Sequence, residues 1–316
     1  MKTGLLVNVP VFPGGLDGLT DQFEVNHILD KDKRAEFLQS NGGAIEAVLT
    51  NGTLGLSIEE MAQMPNLKHI ACIGAGYDQI DIKTVQQRGI AVSHGPGTND
   101  ICVADHSLAL LFAIVRRIPS YDTQVRSGGW KTAADSWPTL TGKTLGILGL
   151  GRIGLRIASR ARGFEMKIHY HNRNQRDDVD YVYEPSAVDL ARACDFIIVV
   201  CPGGSATHHL VNADVLKALG PEGYLVSVGR GSVVDTDALV VALHDGTIAA
   251  AGLDVFEGEP IAPQNLLEAP NVTITPHIAG RSPEARQTMV ELFQRNLKNF
   301  FSGQPLVTPI PEMVDT

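Results

Sequence analysis

The sequence has few cysteines, and their positions exclude the common cysteine-based sites. The four cysteines are Cys72, Cys102, Cys194 and Cys201, which form no C-x-x-C pair and have apolar neighbours. This arrangement is typical of small buried side chains rather than of metal or redox centres. We therefore expect free, buried thiols.

The histidines also lack a complete metal-ligand pattern. His169 and His171 alternate along one strand and so share a face, while His208 and His209 are sequence neighbours. A metal site needs at least a third ligand at suitable spacing, and none is evident. We expect no bound metal.

Charge of one sign is not concentrated anywhere, and no apolar run is long. The net charge is −9, without an extended basic or acidic block. Non-specific binding to nucleic acid or to an acidic membrane is therefore not expected. The longest apolar run, Leu108 to Val115, is too short to cross a bilayer, and the N-terminal run is too short for a signal peptide. We expect a cytoplasmic protein that acts on small molecules.

The length and the pattern of apolar runs predict two α/β domains. A chain of 316 residues exceeds the size at which one core keeps growing. Strand-like runs alternate with helical lengths up to residue 98, and a second series of six runs follows, so both domains should contain doubly wound parallel sheets. We predict one domain from residues 1–98 plus 284–316 and another from residues 99–283.

Two helix starts mark the boundaries between these domains. Asn99 and Asp100 are good N-cap residues before an apolar helix that should be buried, and Ser282 with Pro283 begins a C-terminal helix. Between the first helix and the second series lies a polar stretch with both tryptophans, and it has little strand pattern.

A glycine-rich turn, "GLGRIG", lies directly between an apolar strand and a helix. Its glycines are Gly149, Gly151 and Gly154. They suit a tight turn, a close approach of backbone N–H groups to a pyrophosphate, and packing of the helix on the strand. The turn predicts dinucleotide binding by a Rossmann domain, and a purely structural turn is the alternative.

The stretch "MKIHYHNRNQR" ends the second strand of this domain without the usual acidic residue. Asn172 and Arg173 stand where an Asp or Glu would bind the ribose hydroxyls of NAD. The change removes a repulsive charge, and Arg173, with Arg176, can bind a 2′-phosphate. NADP is therefore the favoured cofactor and NAD the second choice. Arginines in a solvated loop are the alternative interpretation.

Three later segments place reactive side chains after strands of one sheet. They are "LVSVGRGSVVD" with Arg230, "AGLDVFEGEP" with Asp254, Glu257 and Glu259, and "NVTITPHIAG" with His277. Parallel strands end at the same edge, so these residues can meet in one crevice. A carboxylate beside a histidine favours its charged form, which suits proton delivery to a developing alkoxide.

These segments, together with "GLGRIG" and "IGAGYDQID", resemble the D-isomer-specific 2-hydroxyacid dehydrogenase family over nearly the whole chain. The resemblance implies that Arg230 binds the carboxylate and carbonyl of a 2-oxo acid, that His277 is the acid/base, and that Glu259 pairs with it. Asp254 would hold the carboxamide side of the nicotinamide, and Glu257 would be a surface residue. A Rossmann cofactor domain would be inserted in a flavodoxin-like substrate domain.

The resemblance also implies wider binding sets. Asp105 stands where the family more often has Glu, so its hydrogen bonding is open. Trp137 is a candidate substrate contact, with an interface or core anchor as the alternative, and Trp130 shares its loop. The remaining substrate contacts would be Gly74, Ala75, Gly76, Arg230 and His277. The cofactor contacts would be Gly149, Gly151, Arg152, Ile153, Gly154, Asn172, Arg173, Cys201, Pro202, Thr207, Val228, Gly229, Arg230, Asp254, His277 and Gly280.

The Asn-Arg strand ending resembles the NADPH-dependent glyoxylate and hydroxypyruvate reductases of the family. We therefore expect NADPH-dependent reduction of a small 2-oxo acid, glyoxylate or hydroxypyruvate, to the D-2-hydroxy acid by a homodimer. The alternatives are NAD-linked oxidation of a 2-hydroxy acid, reduction of bulkier 2-keto acids such as phenylpyruvate or 2-ketogluconate, and a dinucleotide-sensing, corepressor-like interaction protein.

Overall fold

The computed structural model describes residues 2–132, 134 and 136–313. The chain divides into two compact units, Met1–Asn99 with Arg281–Thr316, and Asp100–Gly280. The sequence placed these divisions at residues 98/99 and 283/284, and the last three residues of the predicted first domain lie outside the described residues.

The first unit contains one parallel sheet of five strands. Its order, β2-β1-β3-β4-β5, is the doubly wound order of the flavodoxin-like folds. The core clusters include buried side chains of β1, β3 and β4, as expected for strands covered by helices. The strands are β1 (Thr3–Val7), β2 (Phe23–His27), β3 (Ile45–Thr50), β4 (His69–Cys72) and β5 (Ala91–Ser93).

The second unit contains a parallel sheet of seven strands in the order β12-β11-β10-β9-β6-β7-β8. The direction of winding reverses between β6 and β9, which is the crevice where such sheets bind ligands. Two parallel-sheet α/β units confirm the predicted fold class. The strands are β6 (Thr144–Leu148), β7 (Lys167–His171), β8 (Val182–Tyr183), β9 (Phe196–Val199), β10 (Tyr224–Ser227), β11 (Ala250–Leu253) and β12 (Val272–Ile274).

Many of the helices have a side-chain cap at the N-terminus. Asp30, Ser57, Asp81 and Ser282 each accept a hydrogen bond from the first turn of a helix in the first unit. The helices are α1 (Lys31–Asn41), α2 (Ile58–Ala62), α3 (Ile82–Gln87), α4 (Asp100–Val115), α5 (Ile118–Arg126), α6 (Arg152–Arg162), α7 (Ala187–Ala193), α8 (Ala213–Leu219), α9 (Thr236–His244), α10 (Gln264–Glu268) and α11 (Pro283–Phe301).

Two elements differ from the sequence-based expectation. The apolar run after Asp100 does not form one helix to Ile118, because α4 ends at Val115 and α5 begins after Arg117, whose φ is 51°. Pro119 has no N–H to donate to the carbonyl of Val115, four residues earlier, and its ring would clash with that carbonyl, so α4 cannot continue through it. Strand β8, which the six predicted runs of this sheet do not include, has only two residues and is too short to give a pattern. No helix in the described part of the chain is long and apolar enough to cross a membrane.

Candidate active site

The glycine turn after β6 lies at the point where the sheet reverses. Gly149 has a φ of 105°, and a Cβ there would come within 2.7 Å of the backbone nitrogen of Cys201. A Cβ on Gly154 would come within 2.5 Å of the carbonyl oxygen of Gly149. Helix α6 follows Gly151 without a side-chain cap, so its first N–H groups are available to an anion. This geometry fits a dinucleotide pyrophosphate.

Asn172, at the end of β7, supports this turn directly. Its Oδ1 accepts a hydrogen bond from the N–H of Leu150 (2.6 Å), and its Nδ2 donates to the Leu150 carbonyl (3.4 Å). The guanidinium of Arg176 also donates to that carbonyl (2.9 Å) and forms a two-pronged ion pair with Asp178. Arg176 is therefore held within the protein, which argues against the phosphate role considered from the sequence.

Arg173 differs from Arg176 both in its exposure and in its lack of an internal partner among the described residues. It is exposed, and no hydrogen bond or ion pair of its side chain occurs among residues 2–132, 134 and 136–313. It is therefore the cation beside the glycine turn that can bind a phosphate without first breaking an internal contact.

The predicted cofactor contacts outside the glycine turn follow neighbouring strands. Burial raises the pKa of Cys201 to about 11, so this thiol is neutral near pH 7. A Cβ on Gly229 would come within 2.6 Å of the Cys201 carbonyl oxygen, and Thr207 Oγ1 donates to the Pro202 carbonyl at 2.7 Å. Cys201, Pro202 and Thr207 follow β9, Val228 and Gly229 follow β10, and Gly280 ends the segment after β12.

His277 and Glu259 form a close pair. The Nδ1 of His277 lies 2.6 Å from the Oε2 of Glu259, and Glu259 Oε1 accepts a hydrogen bond from the N–H of Phe256 at 3.1 Å. Because a carboxylate only accepts, Nδ1 carries the proton. No partner for Nε2 occurs in the described part of the chain, and the His277 side chain is 38% exposed. Nε2 can therefore exchange a proton with a bound molecule.

Arg230 follows β10, and the turn that carries it contacts the loop of Glu259. A Cβ on Gly231 would come within 2.2 Å of the Phe256 carbonyl oxygen, so only glycine permits this approach. The Arg230 guanidinium donates to the Gly229 carbonyl at 2.8 Å. The backbone thus brings the segments of Arg230, Glu259 and His277 together, as the sequence predicted.

The buried carboxylate of Asp254 holds the segment on which His277 lies. It accepts hydrogen bonds from the Thr275 hydroxyl (2.6 Å) and from the N–H groups of Ile278 (2.9 Å) and Ala279 (2.8 Å). The Asp254 carbonyl also accepts the N–H of His277 (2.9 Å), whose φ of 52° is rare outside glycine. Asp254 therefore fixes the strained backbone of the acid/base candidate, a role that the sequence did not reveal.

The charged form of Asp254 is favoured despite its burial. Desolvation by burial raises the pKa of this carboxyl, but hydrogen bonds to His106, Thr275 and the two N–H groups outweigh it, so the pKa lies below its usual value. His106 Nε2 lies 3.0 Å from the Thr275 hydroxyl and 3.5 Å from Asp254 Oδ1. His106 was not predicted from the sequence; its position as a lone histidine in the apolar run of α4 is the signal that could have identified it.

The side chain of Glu257, predicted as a surface residue, is 33% exposed and has partners that the sequence did not reveal. Its carboxylate binds His209 Nε2 (2.8 Å) and the N–H of Thr236 (3.1 Å), and the bond to Glu257 raises the pKa of His209 above its usual value. With His208 these residues have ligand atoms within 4.8 Å of one another. The two imidazole rings are stacked, with centroids 3.9 Å apart and an interplanar angle of 28°. Absence of a metal stays a prediction.

Trp137 lies at the opposite edge of the sheet from His277. It lines a cavity of about 150 Å³ with Tyr224, Ala250 and Val272, the first residues of β10, β11 and β12, and Arg117 lies 4.8 Å above its ring. A four-residue strand separates the two edges by about 13 Å. Within one copy of the chain, the second unit therefore does not bring Trp137 close to His277.

The structure also shows the positions of five further residues that the sequence singled out. Asp105 accepts a hydrogen bond from Arg160 Nε at 2.6 Å, so it joins α4 to α6. Arg152 binds the nearly buried Asp100 at 2.8 Å through Nε, and its side chain remains 67% exposed. In the first unit, Gly74, Ala75 and Gly76 follow β4 at the carboxyl edge of that sheet.

Comparison with known proteins places the chain in one family. Residues 108–279 match the family model "D-isomer specific 2-hydroxyacid dehydrogenase, NAD binding domain". The chain belongs to this family of nicotinamide-dependent enzymes, which confirms the resemblance seen in the sequence.

Individual relatives match over almost their whole length. Glyoxylate/hydroxypyruvate reductase A HPR2 of Arabidopsis thaliana and hydroxyphenylpyruvate reductase of Plectranthus scutellarioides are each 36% identical over 97% of this chain and 98% of the relative. The crystal structure of an NADPH-dependent glyoxylate/hydroxypyruvate reductase from Sinorhizobium meliloti, in complex with NADP and malonate, superposes with a TM-score of 0.92 at 40% identity, covering 99% of this chain and 98% of that one.

Replacing Asp254 by Asn should lower the thermal unfolding temperature at pH 7. The substitution replaces one carboxylate oxygen, a hydrogen-bond acceptor, by an amide NH₂ group that would point at the N–H groups of Ile278 and Ala279. Loss of a charge-assisted hydrogen bond lowers the free energy of unfolding by about 1.5–3 kcal/mol. Because the folded pKa is lowered, the stabilisation is complete above the ordinary carboxyl pKa and is lost as the pH falls through the lowered value. The difference between wild type and variant should therefore shrink in acid.

Calorimetric unfolding between pH 7 and pH 3 measures this effect. Asp180→Asn, at an exposed loop position, is the matched control and should change the unfolding temperature little. A difference for Asp254→Asn that stays constant across the pH range would contradict the role of the Asp254 charge.

Proposed function

We propose that the chain is an NADPH-dependent reductase of small 2-oxo acids, with glyoxylate or hydroxypyruvate as substrate and the D-2-hydroxy acid as product. The observation that carries this proposal is the His277–Glu259 pair, 2.6 Å apart, next to the turn of Arg230 and on the sheet that bears the glycine turn. The names of two of the relatives favour the same substrates.

The residues of the glycine turn and the neighbouring strand ends would hold the cofactor. The first N–H groups of α6 would bind the pyrophosphate, and Gly149 and Gly154 allow the close packing that this requires. When bound, a nicotinamide dinucleotide supplies the hydride that reduces the carbonyl carbon.

The side chains of Arg230, His277 and Glu259 then stabilise negative charge and transfer a proton. Arg230 binds the substrate carboxylate and stabilises negative charge on the carbonyl oxygen. His277, protonated at both nitrogens, delivers the Nε2 proton to that oxygen, while its Nδ1–H stays bonded to Glu259. The carboxylate of Glu259 stabilises the imidazolium and fixes the direction of the ring. In the reverse reaction, neutral Nε2 accepts the hydroxyl proton.

The preference for NADPH would come from Arg173. Its exposed guanidinium, without an internal partner in the described part of the chain, can bind a 2′-phosphate in a planar, two-pronged manner. Asn172 adds no charge that would repel the phosphate. The complex of the Sinorhizobium meliloti relative with NADP supports this choice.

Arg173→Ala should lower kcat/KM with NADPH by roughly tenfold to a hundredfold, because a charge-assisted bond contributes about 1.5–3 kcal/mol. The value with NADH should change little, since NADH lacks the phosphate. Steady-state kinetics with both cofactors measures the difference. Arg192→Ala, at another exposed arginine, is the control. Equal losses with the two cofactors would contradict a phosphate contact.

Two relatives of equal similarity have names that give substrates of different size. The hydroxyphenylpyruvate reductase of Plectranthus scutellarioides is as similar to this chain as the glyoxylate/hydroxypyruvate reductase of Arabidopsis thaliana. Reduction of bulkier 2-oxo acids is therefore the second candidate function. NAD-linked oxidation is a third, and it would require a cofactor site without the Arg173 contact.

A substrate panel tests the proposed function. With NADPH, kcat/KM for glyoxylate or hydroxypyruvate should exceed the values for pyruvate, phenylpyruvate and 2-ketogluconate. A preference for phenylpyruvate would favour the second candidate. If NADPH binds but none of these acids is reduced, the enzyme proposal is wrong and a dinucleotide-sensing interaction protein becomes the better interpretation.

His277→Gln should reduce kcat by about 10²–10⁴-fold, the usual contribution of a positioned acid or base. The dissociation constant of NADPH, measured by fluorescence, should stay close to that of wild type, so that a lost proton donor is distinguished from a damaged fold. Near-native turnover by the variant would overturn the assignment of His277.

We also propose a homodimer. Large apolar side chains are exposed along and just after α5, with Ile118 at 54%, Val125 at 53% and Trp130 at 72% exposure. Ile118 and Val125 lie seven residues apart on α5 and so share one face of the helix, and an exposed apolar face is typical of interfaces.

A further inference from the structure

The loop after β4 is confined by backbone on two sides. A Cβ on Gly52 would come within 2.5 Å of the carbonyl carbon of Gly76, and a Cβ on Gly95 would come within 2.9 Å of the Ile73 carbonyl oxygen. Such distances do not occur between real Cβ atoms and their neighbours. Residues 73–76 therefore occupy a slot in which the peptide units have little room to move.

Two hydrogen bonds fix the orientation of the peptide units in this slot. The N–H of Gly95 donates to the Gly74 carbonyl at 2.7 Å, and His94 Nδ1 donates to the Ala75 carbonyl at 2.9 Å. In a planar trans peptide, the N–H points opposite to the carbonyl of the preceding residue. The N–H groups of Ala75 and Gly76 consequently point away from Gly95 and His94.

These two N–H groups form a small anion cradle. Neither has a hydrogen-bond partner in the part of the chain that the structure describes. Successive N–H groups that face the same side bind anions, because their dipoles add. The cradle suits a carboxylate, the group that a 2-oxo acid presents.

We propose that His94 is a positioning residue for the substrate carboxylate. Its Nδ1–H holds the peptide between Ala75 and Gly76, so that the Gly76 N–H is directed toward the substrate before binding. Rotation of this peptide would turn the N–H away and leave only one donor. The inference rests on the proposed function, since it assigns the cradle to the substrate of that reaction.

His94 is itself held firmly. Its N–H donates to the Thr308 carbonyl (3.1 Å), and its own carbonyl accepts the Thr308 hydroxyl (2.6 Å). Asn296, on α11 and 1% exposed, binds the N–H and the hydroxyl of Thr308. The ring of Tyr77 packs edge-on against the imidazole at 5.2 Å. A chain of contacts thus leads from a buried amide to the substrate loop.

The test compares variants that differ in the donor at this position. In His94→Asn, the amide nitrogen is attached to Cγ just as Nδ1 is in histidine, so the donor is retained. In His94→Leu the donor is lost. We expect His94→Leu to raise KM for glyoxylate on the order of tenfold, the effect of one lost hydrogen bond, with kcat within about threefold. His94→Asn should keep KM within about threefold of wild type.

The dissociation constant of NADPH should be unchanged in both variants, because the proposed cofactor contacts all lie in the other unit. If His94→Leu does not fold, His94→Asp replaces it, because aspartate matches the shape of asparagine but cannot donate near pH 7. An unchanged KM in the variant without a donor, or a KM in His94→Asn as high as in His94→Leu, would overturn the proposal.

A binding measurement separates this inference from the proposed function. Malonate binding to the NADPH-loaded protein, followed by calorimetry, needs no turnover. If no 2-oxo acid is reduced but malonate binds wild type and His94→Asn about tenfold more tightly than His94→Leu, the proposed reaction fails while the cradle stands. Equal malonate affinity in all three proteins would refute the cradle.

Discussion

The buried carboxylate of Asp254 is the constraint on which the catalytic geometry depends. It joins the end of β11 to the segment after β12 through the N–H groups of Ile278 and Ala279 and the Thr275 hydroxyl. His277 lies inside this segment in a left-handed conformation, which costs free energy and persists only when its surroundings over-determine it. With the backbone fixed, the Glu259 carboxylate needs only to orient the ring. The proposed acid/base is thus positioned mainly by contacts to the main chain of its own segment.

Backbone dipoles also explain how a protein with a net charge of −9 can be built for anionic ligands. The uncapped start of α6 offers N–H groups where a pyrophosphate would lie, and Ala75 and Gly76 offer two more in the first unit. Fixed dipoles act over short distances, so the overall charge does not oppose them. Arginines are then needed only where a phosphate or a carboxylate must be bound by a planar group with two donors. In the proposed function, Arg173 and Arg230 are these arginines.

The sequence sufficed for features that depend on local pattern. Apolar runs of strand length separated by helical lengths predicted both parallel sheets, and glycines at fixed spacing predicted the turn at Gly149. It did not suffice where contacts join distant segments. The two-residue strand β8, the bond of Glu257 to His209, the bracing of Leu150 by Asn172 and the network around Asp254 each depend on residues brought together by the fold. A polar residue after an apolar strand signals a site, but not its partner.

The end of β7 shows why cofactor preference and loop geometry must be considered together. Asn172 both removes a charge and, through its amide, contacts the N–H and the carbonyl of Leu150 in the glycine turn. A carboxylate there could accept from the N–H but could not donate to the carbonyl, which would then depend on Arg176 alone. Because Arg176 also binds Asp178, changing Asn172 or Arg176 would alter the turn that is proposed to hold the pyrophosphate. Arg173 is the position where charge toward a phosphate can change while these contacts remain, so it is the residue that we propose to determine cofactor choice.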